Sequence, residues 1–277
     1  MVSSPLRVRV GHSPDPDDAF MVWAIHAGRV RDERFQVELL PRDIETLNRW
    51  AVAGTGLEAT ALSAAAYARV ADRYWLLPHG ASFGDGYGPV VVTRGDVDLR
   101  AAVVAAPGEL TTAFAALRLA VPGVRCEHVP FEEILPAVAR GDFAAGLLIH
   151  EGQLTWARHG LRKALDLGAW WKDETGLPLP LGVNALSRAL GDADGARLGR
   201  LLRESVEAGL RFRADALAYA RGFGRGIGEA DADRFVSMYV NEMTRDMGAR
   251  GRLAVETFLS RAAEAGLAPP CKVEMAP

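Results

Sequence analysis

The segment GLLIHEGQLTW, residues 146–156, is an apolar run that ends in His150 and Glu151. An imidazole, with an ordinary pKa of about 6.5, exchanges its proton near neutral pH, so a histidine carried by a buried strand to a domain edge suits general-base work. Glu151 would orient that imidazole or handle a second proton. Neighbours on an extended strand point to opposite faces, so such a pair requires the chain to turn, and Gly152 provides for the turn. The competing reading is a strand-end histidine satisfied by a hydrogen bond, with Glu151 in solvent.

Three further stretches place polar groups where ligands bind. In HSPDPDDAF, residues 12–20, three aspartates and two prolines separate an apolar alternation from an amphipathic helix. A loop of this kind lies at the carboxyl edge of its strand in an open α/β sheet, so Asp15 and Asp17 are candidate cleft-lining residues. Capping of the helix that follows is the alternative. In PGELTT, residues 107–112, Thr111 and Thr112 open a helix, and hydroxyls beside first-turn amides make either an anion site or an N-cap. Ser63, at the end of ATALS, stands at a similar strand-to-helix junction with the same two readings. Trp156, Trp170 and Trp171 could stack on an aromatic ligand but fit packing better, and they receive no site role.

Elements that position these groups follow from periodicity. Strand patterns fall at residues 6–10, 35–40, 58–62, 74–77, 89–93, 101–106, 125–129, 144–149 and 183–187. Helical patterns follow the acidic loop and fall at 44–52, 63–71, 113–120, 131–140, 196–220, 229–241 and 248–265. The four glycines of PHGASFGDGYG allow sharp turning or close backbone approach to a ligand. The βα grammar restarts near residue 100, and the chain crosses twice, at GPVVVTRGD and LPLPLGVNALSR. Two α/β lobes are therefore expected, residues 1–93 with 182–277 and an inserted 94–181, hinged about a cleft that is the default binding site.

With 277 residues, 49% hydrophobic and 24% charged, the chain can bury a full core. Its net charge of -3 offers no footprint for nucleic acid and no basic run for a membrane surface. No apolar run reaches the roughly 18 residues of a spanning helix, and the amino-terminal segment has no signal-like apolar core, so a cytoplasmic location is expected. Cys126 and Cys271 show no paired spacing and read as inert thiols. A P-loop, GxSxG, strand-linked GxGxxG and HExxH are all absent, so no cofactor and no metal is expected.

Seven ordered motifs cover almost the whole chain: HSPDPDDAF, ATALS, YWLLPHGASFGDGYGPVVV, PGELTTAF, GLLIHEGQLTW, DLGAWWKDETGLPLPLG and YVNEMTRDMG. Together they resemble the 1,4-dihydroxy-6-naphthoate synthase family of the futalosine route to menaquinone. The resemblance implies a type 2 periplasmic-binding-protein fold used as a cytoplasmic lyase. Its small-molecule substrate, an aromatic carboxylate, is cyclic dehypoxanthine futalosine, which loses a sugar-derived three-carbon fragment. On the matching residues, His150 would be the base, Thr111 and Thr112 would hold the substrate, and Ala61, Leu62 and Ser63 would touch it from the other lobe. The acidic loop would face the cleft. It departs from the family pattern SPCPNDTF, with Asp15 for cysteine, Asp17 for asparagine and Ala19 for threonine. Added carboxylates would repel an anionic substrate by roughly 4 kcal/mol at 4 Å and an effective dielectric of 20, unless neutralised, paired or turned aside. Two other functions use the same fold: chorismate dehydration in the same pathway, and non-catalytic binding of a small solute.

Overall fold

Two β-sheets organise the molecule, seen in a computed structural model that describes residues 4–224 and 228–277. The chain first lays down β1 (Leu6–His12), α1 (Pro16–His26), β2 (Phe35–Pro41), α2 (Ile44–Ala53), β3 (Ala59–Ser63), α3 (Ala64–Tyr67), β4 (Tyr74–Leu76) and β5 (Ser82–Gly84). It then crosses to β6 (Val90–Thr93), β7 (Val103–Ala106), α4 (Thr112–Ala120), β8 (Arg125–His128), α5 (Phe131–Arg140), β9 (Ala145–Leu148), α6 (Gly152–Thr155), β10 (Arg162–Asp166) and α7 (Leu167–Thr175). The return strand β11 (Leu179–Ser187) leads into α8 (Gly191–Arg211), α9 (Arg213–Ala220), α10 (Glu229–Tyr239), α11 (Glu242–Arg245) and α12 (Gly248–Glu264).

The first sheet has the order β2-β1-β3-β11-β4, with β5 also on β11, and the second has the order β10-β6-β9-β7-β8. β1 runs parallel to β2 and β3, and β7 runs parallel to β8 and β9. Helices cover these central strands, so all five residues of β3 and all four of β9 are buried; β9 is apolar throughout, whereas β3 buries Thr60 and Ser63 among its apolar residues. The carboxyl ends of β1, β3, β7 and β9 meet at the cleft between the two lobes. Among the described residues no helix is long and apolar enough to cross a membrane.

Four differences from the sequence expectation have local causes. β6 pairs with β9 and β10, so Val90–Thr93 belongs to the second sheet and the chain has already crossed before it. The expected helix at 63–71 is helical only over Ala64–Tyr67 and ends in turns. The long helix at 196–220 breaks at Phe212, with φ -107° and ψ 48°, so that both α8 and α9 lie against α1. There Phe20, Trp23 and Ala24 pack with Val206, Ala216 and Leu217. The glycine loop does two jobs. Gly80 and Gly86 turn the chain at φ +74° and +83°, while a Cβ on Gly84 would lie 1.9 Å from the Tyr87 carbonyl oxygen, so the close approach is to protein backbone.

The two crossings are not all that joins the two sheets. One apolar cluster runs from Leu62 and Val183 of the first sheet to Val91, Val104 and Leu147 of the second, through Leu117 of α4, Trp171 of α7 and Phe258 of α12. Burial stabilises such a layer by about 25 cal/mol per Å² of apolar surface, so this cluster binds the two sheets to each other.

Candidate active site

β9 carries His150 to the cleft, and the chain reverses at the histidine itself. His150 has φ +52°, the only positive φ of a non-glycine residue among those described, whereas Gly152 opens α6 in ordinary helical conformation. A residue held there costs about 1–3 kcal/mol, and such strain concentrates at functional sites. The imidazole Nδ1 lies 3.1 Å from Asp15 Oδ2, and the Phe131 ring meets it edge-on at 4.8 Å. Nε2 is buried without a hydrogen-bond partner among the described residues, and His150 lines the cleft.

The acidic loop does not cap its helix. Asp15 occupies the N-cap of α1 ahead of Pro16, yet its side chain makes no capping bond, forgoing about 1 kcal/mol of stabilisation. Its Oδ2 instead faces His150 and accepts a very short hydrogen bond from Ser13 Oγ. Asp18 Oδ2 accepts the Ser13 amide at 2.6 Å. Burial pushes the Asp18 carboxyl up to about 7, with the nearby Asp15 charge adding to the rise and the Ser13 amide opposing it. Asp17 is buried too, with Oδ1 lacking a partner among the described residues and Oδ2 3.4 Å from the Ser82 hydroxyl. Burial, then the charges of Asp18 and Asp15, raise it well above the usual carboxylate range. Among the three residues that depart from SPCPNDTF, Asp15 therefore faces an imidazole, and Asp17 sits where burial disfavours its charged form.

The opposite junction is made of neutral hydroxyls. Thr111 Oγ1 accepts the Phe114 amide at 3.2 Å and donates to the Gly108 carbonyl at 2.8 Å, capping α4. Thr112 Oγ1 donates to the Leu181 carbonyl at 2.7 Å and accepts the Ala65 amide at 3.2 Å, tying the two lobes together. Both threonines line the cleft. Ser63 lines it as well, its amide and hydroxyl held by the Asn48 side chain at 2.9 and 3.0 Å. Ala61 shares that face of β3, whereas Leu62, one residue out of phase, is buried in the apolar cluster and is no part of the cleft lining. Glu151 is buried and also lies outside the lining, because the turn at His150 sends the next residue into the start of α6.

Several lining residues were not evident from the sequence. Gln153 sits one helical turn beyond His150, and with its amide nitrogen turned to the Gly88 carbonyl (2.6 Å) its oxygen accepts the His150 backbone amide (3.2 Å). Tyr239 and Phe235, four residues apart on α10, close the far side, and the Tyr239 hydroxyl lies 2.6 Å from the Gln153 side chain. Burial raises the Tyr239 phenol well above its ordinary range, so it stays a neutral donor. The available signals were weak: a polar residue at helical spacing from His150, and an aromatic pair on one helix face.

The resulting cleft, about 690 Å³ when its mouth open to solvent is included, mixes apolar walls with hydroxyl, amide and carboxyl groups. No lysine or arginine is among its described lining residues, so an anionic ligand must be held by neutral donors and first-turn amides. Among the described residues no three His, Cys, Asp or Glu groups are disposed to hold a metal ion. Trp171 is fully buried against Phe258, outside the cleft.

Comparison with known proteins gives the family and the fold. The 1,4-dihydroxy-6-naphthoate synthase of Thermus thermophilus is 42% identical over 264 residues, covering 95% of this chain and 96% of its own. The enzyme of the same name from Streptomyces coelicolor is 39% identical over 269 residues, covering 95% of both. A crystal structure of an Archaeoglobus fulgidus protein superposes with a TM-score of 0.87 at 43% identity, covering 94% of this chain and 97% of that one. The alkanesulfonate-binding protein of Xanthomonas axonopodis, at 14% identity, gives a TM-score of 0.71 over 99% of this chain and 98% of its own, which places the fold with the periplasmic binding proteins. A family profile described as menaquinone biosynthesis matches residues 8–264. The chain belongs to that menaquinone biosynthesis family.

Proposed function

We propose that the protein is a carbon–carbon lyase that converts cyclic dehypoxanthine futalosine to 1,4-dihydroxy-6-naphthoate and releases a three-carbon sugar fragment. The observation that carries the reading is His150 Nε2, buried and without a partner among the described residues, in a cleft lined by neutral donors. In this role Nε2 takes an acidic proton from the opened sugar portion, and the electron pair left behind drives elimination and carbon–carbon cleavage. Aromatisation of the departing ring system favours products. The turn carrying Thr111 and Thr112 holds the substrate carboxylate through the first-turn amides of α4, the two hydroxyls fixing that turn through their bonds to Gly108 and Leu181, while Ala61 and Ser63 contact the substrate from the first lobe. That lobe comprises approximately residues 1–93 and 182–277, less β6, around an inserted lobe over the remainder. A biosynthetic role of this kind fits the cytoplasm.

The test is incubation of purified protein with cyclic dehypoxanthine futalosine, without added metal or nucleotide, following naphthoate by chromatography and mass. Turnover supports the reading, and its absence where a family member is active sinks it. The binding-protein fold favours one other reading, a non-catalytic solute binder, which would retain the compound unchanged. Chorismate supplied in parallel separates the dehydratase.

A further inference from the structure

His150 and Asp15 come from different lobes, one from the end of β9 and the other from the loop after β1. They nevertheless meet at 3.1 Å through one defined pair of atoms, His150 Nδ1 and Asp15 Oδ2. Asp15 is 1% exposed, so water does not compete for its oxygens. Its orientation is held by Ser13 Oγ, which donates to that same Oδ2. The imidazole is held in turn by the left-handed backbone of His150 and by the edge of Phe131. The geometry leaves Nε2 buried, without a partner among the described residues, at the cleft.

We infer that Asp15 is a positioning residue, which keeps the neutral imidazole of His150 in the tautomer with its proton on Nδ1 and so directs the lone pair of Nε2 into the cleft. A carboxylate accepts but does not donate, so only Nδ1–H satisfies the contact. The other tautomer would set two lone pairs against each other and turn an N–H toward the substrate. Aspartate serves imidazole in the same way in Ser-His-Asp triads, where replacement by asparagine keeps the shape but selects the wrong tautomer. Because each lobe supplies one partner, the base is complete only while the lobes are together at the cleft. The catalytic consequence rests on the lyase reading, but the tautomer does not.

The resting protein, labelled with ¹⁵N-histidine and free of substrate, tests the assignment. Long-range ¹H–¹⁵N spectra at neutral pH, with the His150 signals identified by their loss in His150→Gln, should show a protonated Nδ1 and an unprotonated Nε2. In Asp15→Asn the pattern should invert or become mixed. Turnover of that variant should fall on the order of 10²–10⁴-fold while KM stays within a few-fold, since orientation rather than binding is lost. A protonated Nε2 in the resting wild-type protein overturns the inference even if the enzyme is active. An unchanged tautomer and unchanged turnover in Asp15→Asn overturn it equally. If the wild-type protein does not turn over the cyclic substrate but shows the Nδ1–H tautomer, the pairing stands and the lyase reading fails.

Discussion

The loops HSPDPDD and PGELTT occupy matching places in the two lobes, each leading from the carboxyl end of a central parallel strand into a helix, yet their side chains are used in opposite ways. At the second, Thr111 caps α4 and Thr112 ties the lobes, so both hydroxyls are committed to backbone partners. At the first, the N-cap residue Asp15 leaves its helix uncapped and turns to a histidine from the other lobe, while Asp17, buried, and Asp18, half-buried, both have their carboxyls raised above the usual carboxylate range. One junction uses its two cleft-lining hydroxyls for backbone bonds; the other gives up local stabilisation to hold titratable groups in the cleft lining. The comparison sets titratable groups on one wall of the cleft and backbone-bound hydroxyls on the other, which under the proposed function makes the first the reacting wall and the second the receptor wall.

The most severe way to break this division is to remove the base. His150→Asn should lower turnover by roughly 10²–10⁴ while leaving folding and affinity nearly intact, because asparagine keeps a polar group but takes no proton near neutral pH. Thermal melts, substrate titration and initial rates check it together, and wild-type rates in a folded, binding variant would make the histidine structural.

The next effect sharpens the acidic side. The folded Asp18 carboxyl, at about 7, lies above its ordinary value of 3.8, so the native state binds the extra proton between these values. Its contribution to stability is present below about 3.8 and is lost as pH rises through 7. Ionisation there also adds negative charge beside the substrate. KM should therefore climb as pH passes 7 in the wild-type protein and stay flatter in Asp18→Asn, measured from steady-state rates between pH 6 and about 9. A KM rise that survives in Asp18→Asn assigns it elsewhere.

A control of opposite sign sits away from both junctions. Burial, with a lesser push from Arg203, lowers His79 from 6.5 to about 4, and its Nδ1 has no partner among the described residues. The unfolded state binds the proton first, so stability falls as pH drops from 6.5 toward 4, by on the order of 3 kcal/mol in full. This trend opposes that of Asp18 in the same window and partly hides it. Urea midpoints across that window should sag toward acid in Asp18→Asn and rise toward acid in His79→Gln. Parallel curves for the two variants would refute the opposition.

The smallest effect belongs to the receptor wall. Thr111→Ala should cost about 1 kcal/mol through the lost cap and raise KM modestly, whereas Thr111→Ser should restore both. Urea unfolding at fixed pH together with KM separates the contributions. An unchanged KM with the stability loss intact leaves the threonine as a cap alone.

By itself the sequence determined what depends on near neighbours. Period-two and helical patterns located nearly all the central strands and helices, because apolar alternation reports which face is buried, and the Thr111 cap was among the readings open from PGELTT alone. Short or irregular pieces such as β5, β10 and α7 escaped, since pairing and not local pattern defines them. The candidate loops were legible as loops, but the tertiary structure decided their chemistry. It set Ala61 and Ser63 toward the cleft and Leu62 into the core, placed the chain reversal on His150, and turned Glu151 away. It also brought Asp15 to His150 across the lobe boundary, and it withdrew Asp17 and, in part, Asp18 from water, which raises both carboxyls. The physical reason is that capping and periodicity act over a few residues of chain, whereas desolvation and charge pairing depend on groups that only folding makes neighbours.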